Sequence, residues 1–230
     1  MEQRQYRYFD LILGLFVAVL LISNLVSVKA VRLGLPFLGI SFSFDGGTLL
    51  FPLSYIFADI LTEVYGYERA RRVIWAGFAG LVLMGVFIWL VGIIPADPDW
   101  PLQSAYQDLL MTAPRIVLAS IIAYFAGGFC NSYILSRMKV LTGGKHLWAR
   151  TIGSTLAGEF IDTLLFVFIA FGGIWENALV IRVLFSNYIF KTGYEIVATP
   201  LTYAATRWLK TRENEDHYDY EVNYNPFLIK

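Results

Sequence analysis

The chain has 230 residues, is 57% hydrophobic and 16% charged, and balances 18 basic against 18 acidic side chains. Soluble domains carry about 25% charged residues, so this composition, with a mean hydropathy of +0.57, excludes a soluble domain. The balanced charge offers no basic surface for nucleic acid, the single Cys130 excludes a disulfide framework, and His146 and His217 stand apart in polar segments, so no metal site or cofactor is expected.

In chain order the sequence gives six apolar spans, about 9–28, 48–66, 73–94, 115–136, 151–171 and 182–206. The first has too long an apolar run for a cleavable signal, and no small-x-small site follows it. With the N-terminus inside, the inner segments hold 13 of the 18 Lys and Arg residues and the outer ones only Lys29, Arg32, Arg115 and Arg182, while Lys191 falls within a span. The positive-inside rule therefore predicts both termini in the cytoplasm.

The first span carries Ser23-Asn24 near its outer end, then Ser27 and Lys29. Asn24 reads equally as a bond to a neighbouring helix and as a ligand, whereas Lys29 reads as a snorkelling end residue. The next stretch, AVRLGLPFLGISFSFDGG, is apolar but broken by Gly34, Pro36, Gly39 and Gly46-Gly47. Bare coil cannot face lipid, so it is expected as an external lid or re-entrant segment over 33–46, or as an interfacial loop.

In the second span Tyr55, Asp59 and Glu63 fall at i, i+4 and i+8 and form one polar stripe. Pro52 is expected to kink its start, and Glu63 beside Glu68–Arg72 reads as a solvated salt-bridge cluster. The third span is uncharged scaffold, with Gly77, Gly80 and Gly85 for close packing. The fourth carries Gly127-Gly128 and Asn131-Ser132 in its inner half.

The fifth and sixth spans hold the strongest signals. Glu159 and Asp162 lie three apart near the middle of the fifth, with Thr155 a turn earlier on the same side. A carboxylate at that depth costs about 2.5–3.5 kcal/mol and must face a cavity or a partner. Asn187, Lys191, Glu195 and Thr199 follow one another at i+4 on the sixth span. Rises of ~1.5 Å per residue put Lys191 and Glu195 at the depths of Glu159 and Asp162. Lys191 can pair with Glu195 on its own helix or with a carboxylate of the fifth span. Two acids beyond one Lys imply a protonated carboxylate or a ligand that supplies donors, unless the network is only structural glue between helices. The segment 209–230 is expected as a flexible cytoplasmic tail after a six-helix domain over 1–208.

Ser23-Asn24, Phe51-Pro52-Leu53, Tyr55, Asp59, Glu63, Tyr65-Gly66 and Ala70-Arg71, with Ser154-Thr155, Gly158, Asp162 and Lys191, resemble the queuosine precursor transporter family, also called the vitamin uptake transporter family. The resemblance covers the chain to about residue 208 and implies an all-α, multi-pass bacterial inner-membrane protein of six helices. It implies import of 7-cyano- and 7-aminomethyl-7-deazaguanine, with Asn24, Asp59, Asp162 and Lys191 carried over from the motif. Tyr55, Asn131, Glu159, Asn187 and Glu195 complete the expected substrate-binding set on the stripe and depth arguments.

The chemistry is consistent with a planar purine-like substrate. A guanine-like edge presents two adjacent N–H donors that a carboxylate accepts as a pair, and its carbonyl takes a donor from Asn or Lys. Aromatic faces among Phe42, Phe44, Phe51, Tyr55, Phe185 and Tyr188 are available for stacking. An alternative is the substrate-binding subunit of a multi-component importer with separate ATPase partners, since the chain has no phosphate-binding loop. An intramembrane enzyme using Asp59 and Asp162 as an aspartyl pair is the reading from another class, and no local protease signature supports it. A homodimer is left open.

Overall fold

The computed structural model describes residues 6–35, 40–111, 114–173 and 176–228. It is an all-α membrane protein with one β-hairpin. Helix α1 is Phe9–Val26, the hairpin is β1 (Ala30–Leu35) and β2 (Ile40–Asp45), and α2 is Pro52–Tyr65. Then come α3 (Tyr67–Ile93), the short α4 (Gln103–Tyr106) with a π-helical turn (Gln107–Met111), α5 (Pro114–Leu141), α6 (Leu147–Phe171) and α7 (Asn177–Glu213).

Among the described residues, four stretches are long and apolar enough to cross a membrane: α1, α3, α6 and the run Gln103–Leu141 that ends in α5. Helix α2 does not need that length. Its 14 residues reach only ~21 Å, but 12 of them are buried, because α1, α3, α5 and α7 all pack around it. Helix α7 has 37 residues and keeps its polar stripe turned into the bundle. Large apolar side chains such as Leu83, Phe87, Phe160 and Phe185 face outward, whereas Asn24, Asp59, Asn131, Asp162 and Glu195 are buried. Polar inside and apolar outside is the inversion that a lipid solvent imposes.

The segment expected as a lid is an antiparallel hairpin, with Ala30 opposite Asp45 and Leu35 opposite Ile40. Residues 36–39, including Pro36 and Gly39, lie outside the described residues, as does the Phe42 side chain. Pairing satisfies the backbone groups that bare coil could not. Phe44 then stacks on Phe190 of α7, ring centroids 5.1 Å apart.

Three expectations are corrected. Pro52 does not kink α2: it occupies the first turn, where its missing N–H has no partner to lose. Helix α3 begins at Tyr67 rather than near 73, because Gly66 alone makes the turn from α2 at φ 86°, a region that favours glycine. The helix of the sixth span runs on to Glu213, and the segment after it is docked. Asp219 accepts from Tyr67 N (3.0 Å) and Ser136 Oγ (2.6 Å). Arg71 donates to the Asn223 and Asn225 carbonyls, and Trp75 Nε1 to that of Pro226. Tyr224 and Phe227 add ring contacts to Tyr67 and Trp75, so aromatic residues anchor a stretch whose charge alone reads as solvated. Tyr6 donates to Glu215, and the Arg7 and Tyr8 N–H groups to Glu213, so both chain ends meet at the pole opposite the hairpin.

Candidate functional site

A narrow pocket with room for little more than a water molecule lies beneath the hairpin. Helix α1 and its C-cap contribute Ser23, Asn24 and Ser27, and the end of β2 with the turn after it contributes Asp45, Gly47 and Thr48. Phe51, Ser120 of α5, Asp162 and Phe166 of α6 and Lys191 of α7 complete the lining. Asp45 ties the hairpin to this floor, accepting from Ser27 Oγ at 2.8 Å and Thr48 Oγ1 at 2.7 Å. Asn24 donates to the Leu20 carbonyl of its own helix at 3.0 Å, and its Oδ1 has no partner.

Lys191 is the charge centre. Its Nζ stands 2.7 Å from Asp162 Oδ2 and 3.2 Å from Glu159 Oε2, and 4.3 Å from the Phe51 ring centroid. The pairing is thus across α6 and α7, not along α7. It depends on α5 and α6 lying very close. A Cβ on Gly127 would meet the Gly158 carbonyl oxygen and the Tyr55 hydroxyl, each at 2.6 Å, and Asp162 Cβ at 2.7 Å. Only glycine lets the carboxylate of α6 stand beside the lysine.

A second polar group lies further toward the pole with the chain ends. Asn131 Nδ2 donates to Asp59 Oδ1 at 2.6 Å, leaving Asp59 Oδ2 and Asn131 Oδ1 unpartnered. Glu195 is 1% exposed, and neither of its oxygens has a hydrogen-bond partner. Asp59 and Asp162 therefore hold different partners and do not form an aspartyl pair.

Beyond this group the pole is closed by charge. Glu63 is paired bidentately with Arg150, and Lys210 Nζ reaches Glu63 Oε1 at 2.7 Å. Lys139 donates to the Glu63 carbonyl at 2.6 Å and to Asp216 at 2.5 Å. Glu63 is 1% exposed, which corrects its reading as a solvated cluster: the docked C-terminal segment shields it from water. Outside the spans, burial raises the Asp216 carboxyl, but hydrogen bonds from Lys139 and Lys210 outweigh this and hold it below its ordinary value. Asp219 is likewise held low against its burial, by His217, Ser136 and the Tyr67 N–H.

Of the expected residues, Asn24, Asp162 and Lys191 line the pocket, and Glu159 adjoins it through Lys191. Tyr55 stands behind it, its ring 5.9 Å from Phe51 and its hydroxyl unpartnered. Asn187 is buried with Oδ1 unpartnered, while Asp59, Asn131 and Glu195 lie outside the pocket lining. Among the aromatics, Phe51 lines the pocket and Phe185 is 58% exposed on the outer face. Sequence reasoning missed Asp45, Thr48, Ser120 and Phe166. The Asp-Gly-Gly-Thr run could have signalled the first two, since an Asp three residues before Thr caps a turn.

Residues 45–205 match the family model described as "Putative vitamin uptake transporter". The chain is 28% identical over 210 residues, 87% of each chain, to the "Probable queuosine precursor transporter" of Bacillus subtilis (strain 168). It is 27% identical over 137 residues, 60% of this chain and 59% of the other, to the "Queuosine precursor transporter" of Escherichia coli (strain K12). No solved structure matches significantly. A matched model spanning more than two thirds of the sequence, on a bundle with its charges buried around one pocket, makes this chain a member of the vitamin uptake transporter family, a family of transporters and not of enzymes.

Proposed function

We propose that the chain imports 7-deazaguanine precursors of queuosine, the 7-cyano and 7-aminomethyl forms, across the bacterial inner membrane, with both termini cytoplasmic. The relatives named for queuosine precursors support the substrate class, and the Lys191–Asp162 pair beside Phe51 is the observation that carries the binding mode. Asp162 accepts the paired N–H donors of the base edge through its carboxylate. Lys191 spends one N–H on Asp162 and holds others for the ring carbonyl, while Asn24 Oδ1 is an acceptor for an exocyclic donor. Phe51 offers a face for the flat ring.

Transport then requires the site to open alternately to either side. The hairpin covers it from one pole, through Asp45 and the Phe44–Phe190 stack, and the Glu63–Arg150–Lys210 cluster blocks the other. Movement inward requires those ion pairs to part while the hairpin stays down.

The test uses the purified chain alone. Titration calorimetry with 7-cyano-7-deazaguanine should give saturable binding that adenine, whose edge lacks the paired N–H donors and the carbonyl, competes with only weakly. Proteoliposomes holding no ATP and no second protein should take up the labelled base. Binding without any uptake would instead favour a subunit that needs ATPase partners.

A further inference from the structure

The pocket beneath the hairpin does not account for the deeper acids. Asp59 of α2 and Glu195 of α7 are 0% and 1% exposed, and α2 and α7 pack directly on each other. Asp59 has one bond, from Asn131 of α5, and its Oδ2 has no partner. Neither oxygen of Glu195 has one. The Asn131 amide head is fixed against Asp59 with its own Oδ1 unpartnered. This group therefore holds unsatisfied acceptors and only one side-chain donor, the Asn131 amide.

A buried carboxylate without donors or a cation is too costly to remain ionised and bare. The cations nearby are committed elsewhere. Lys191 bridges Asp162 and Glu159, and Arg150 is bidentate on Glu63. The charges that act on Glu195 come from Asp59 and Glu159, both acidic. Those that act on Asp59 come from Glu63 and Arg150, which oppose each other. Among the described residues no group of three or more His, Cys, Asp or Glu side chains could hold a metal ion. A proton is a cation that two acids and one amide can hold without further ligands.

We propose that Glu195 and Asp59, with the Asn131 amide, form a proton-binding site separate from the substrate pocket, and that a proton carried there accompanies each base inward. The proposal rests on the reading of the chain as an importer. Glu159 links the two sites, because it shares Lys191 with Asp162 and acts electrostatically on Glu195. A base whose ring carbonyl takes an N–H of Lys191 draws that N–H from Glu159, whose negative charge then favours the proton on Glu195. One proton on the pair leaves it a single negative charge in place of two, and that proton leaves when the Glu63 cluster opens to water.

Proteoliposomes with a pH gradient, acid outside, test this with 7-cyano-7-deazaguanine as the probe and a trapped pH dye as a second readout. One proton per base should give about tenfold accumulation per pH unit, since a pH unit is 1.36 kcal/mol, with matching acidification of the lumen. Glu195→Gln should bring accumulation to about onefold and abolish the proton signal, while base-for-base exchange without a gradient continues. Should Glu195→Gln fail to fold, Asp59→Asn decides by the same readouts. Downhill uptake by the wild type that ignores the pH gradient, or follows a sodium gradient instead, overturns the proton site and leaves the importer reading standing. Folded, exchanging variants that still accumulate the base also overturn it. A wild type that neither binds nor moves the base sinks the importer reading and the proton site with it.

Discussion

Asp162 and Lys191 illustrate how a charge is kept in a membrane helix: each is 2–5% exposed, and each is the other's partner. Asp162→Asn preserves size but turns one acceptor toward a donor, facing donors on the base edge. A hydrogen bond to a charged group contributes about 1.5–3 kcal/mol, so affinity should fall about tenfold to more than a hundredfold in calorimetry. Lys191→Met should weaken binding too, and should also lower thermal stability, because it strands two carboxylates. Wild-type affinity in Asp162→Asn would assign the residue to packing alone. Glu63 invites the converse comparison. Breaking a buried pair costs about 3–5 kcal/mol, but Arg150→Met leaves Lys210 at 2.7 Å and should cost less than that. Glu63→Gln removes the shared anchor of three cations and should lower the melting temperature further than Arg150→Met does.

Among the elements, the hairpin is the one whose form follows from its surroundings. It is held at the pocket because Asp45 bonds both Ser27 and Thr48, and because Phe44 lies on Phe190. Phe44→Ala removes an aromatic pair worth about 0.5–1.5 kcal/mol beyond its area. It should raise the dissociation rate of the base several-fold in stopped-flow measurements, with little change in association. An unchanged dissociation rate would deny the hairpin its covering role. The α5–α6 pairing is less forgiving. Gly158→Ala would set a Cβ 2.8 Å from the Gly127 carbonyl oxygen and 2.8 Å from Asn131 Cβ, both on α5, so the helices must separate. Loss of folded protein, or of the Asp162–Lys191 geometry and binding with it, is the expected result, read by size-exclusion and calorimetry.

At the scale of the molecule, the chain ends lock one pole. Truncation after Asn214 would strip Arg71, 1% exposed, of its two carbonyl acceptors and Trp75 of its partner. A loss of about 2 kcal/mol would lower the melting temperature by ~4–8 °C for a chain of this size. The same lock carries a pH dependence. Asp216 and Asp219 are held below the ordinary carboxylate value of 3.8, so their contribution is full above it and is lost as pH falls below it. Proteolytic release of the tail should therefore stay slow at neutral pH and accelerate only below about pH 4. The orientation is checked by single cysteines in a background lacking Cys130. Glu221→Cys and Asp99→Cys should label from opposite sides of the membrane, since charge places residue 221 inside and residue 99 outside.

Much of this protein is decided by sequence alone. Six apolar runs and outward-facing Leu and Phe set an all-α membrane bundle, because lipid leaves a backbone no other way to bond itself. Acids and a lysine at matched depths marked α6 and α7 as the place to look, because such residues survive in hydrocarbon only against partners. Helical spacing could not say which partner. Lys191 is four residues from Glu195 yet bonds Asp162, because the Gly127–Gly158 contact brings α6 to it, and that approach involves residues 31 positions apart. The hairpin was legible as a cover but not as two strands, although Val31, Leu33 and Leu35 alternate with Arg32 and Gly34, and Ile40, Phe42 and Phe44 with Ser41 and Ser43. Gly and Pro breaks dominate this short run, and its pairing is settled by its neighbours. The tail shows the same limit from the other side. Its charges read as solvated, but Tyr224, Phe227 and Asp219 are anchored by Tyr67, Trp75 and Ser136, which lie at least 80 residues away in the chain and meet them only after the bundle has formed.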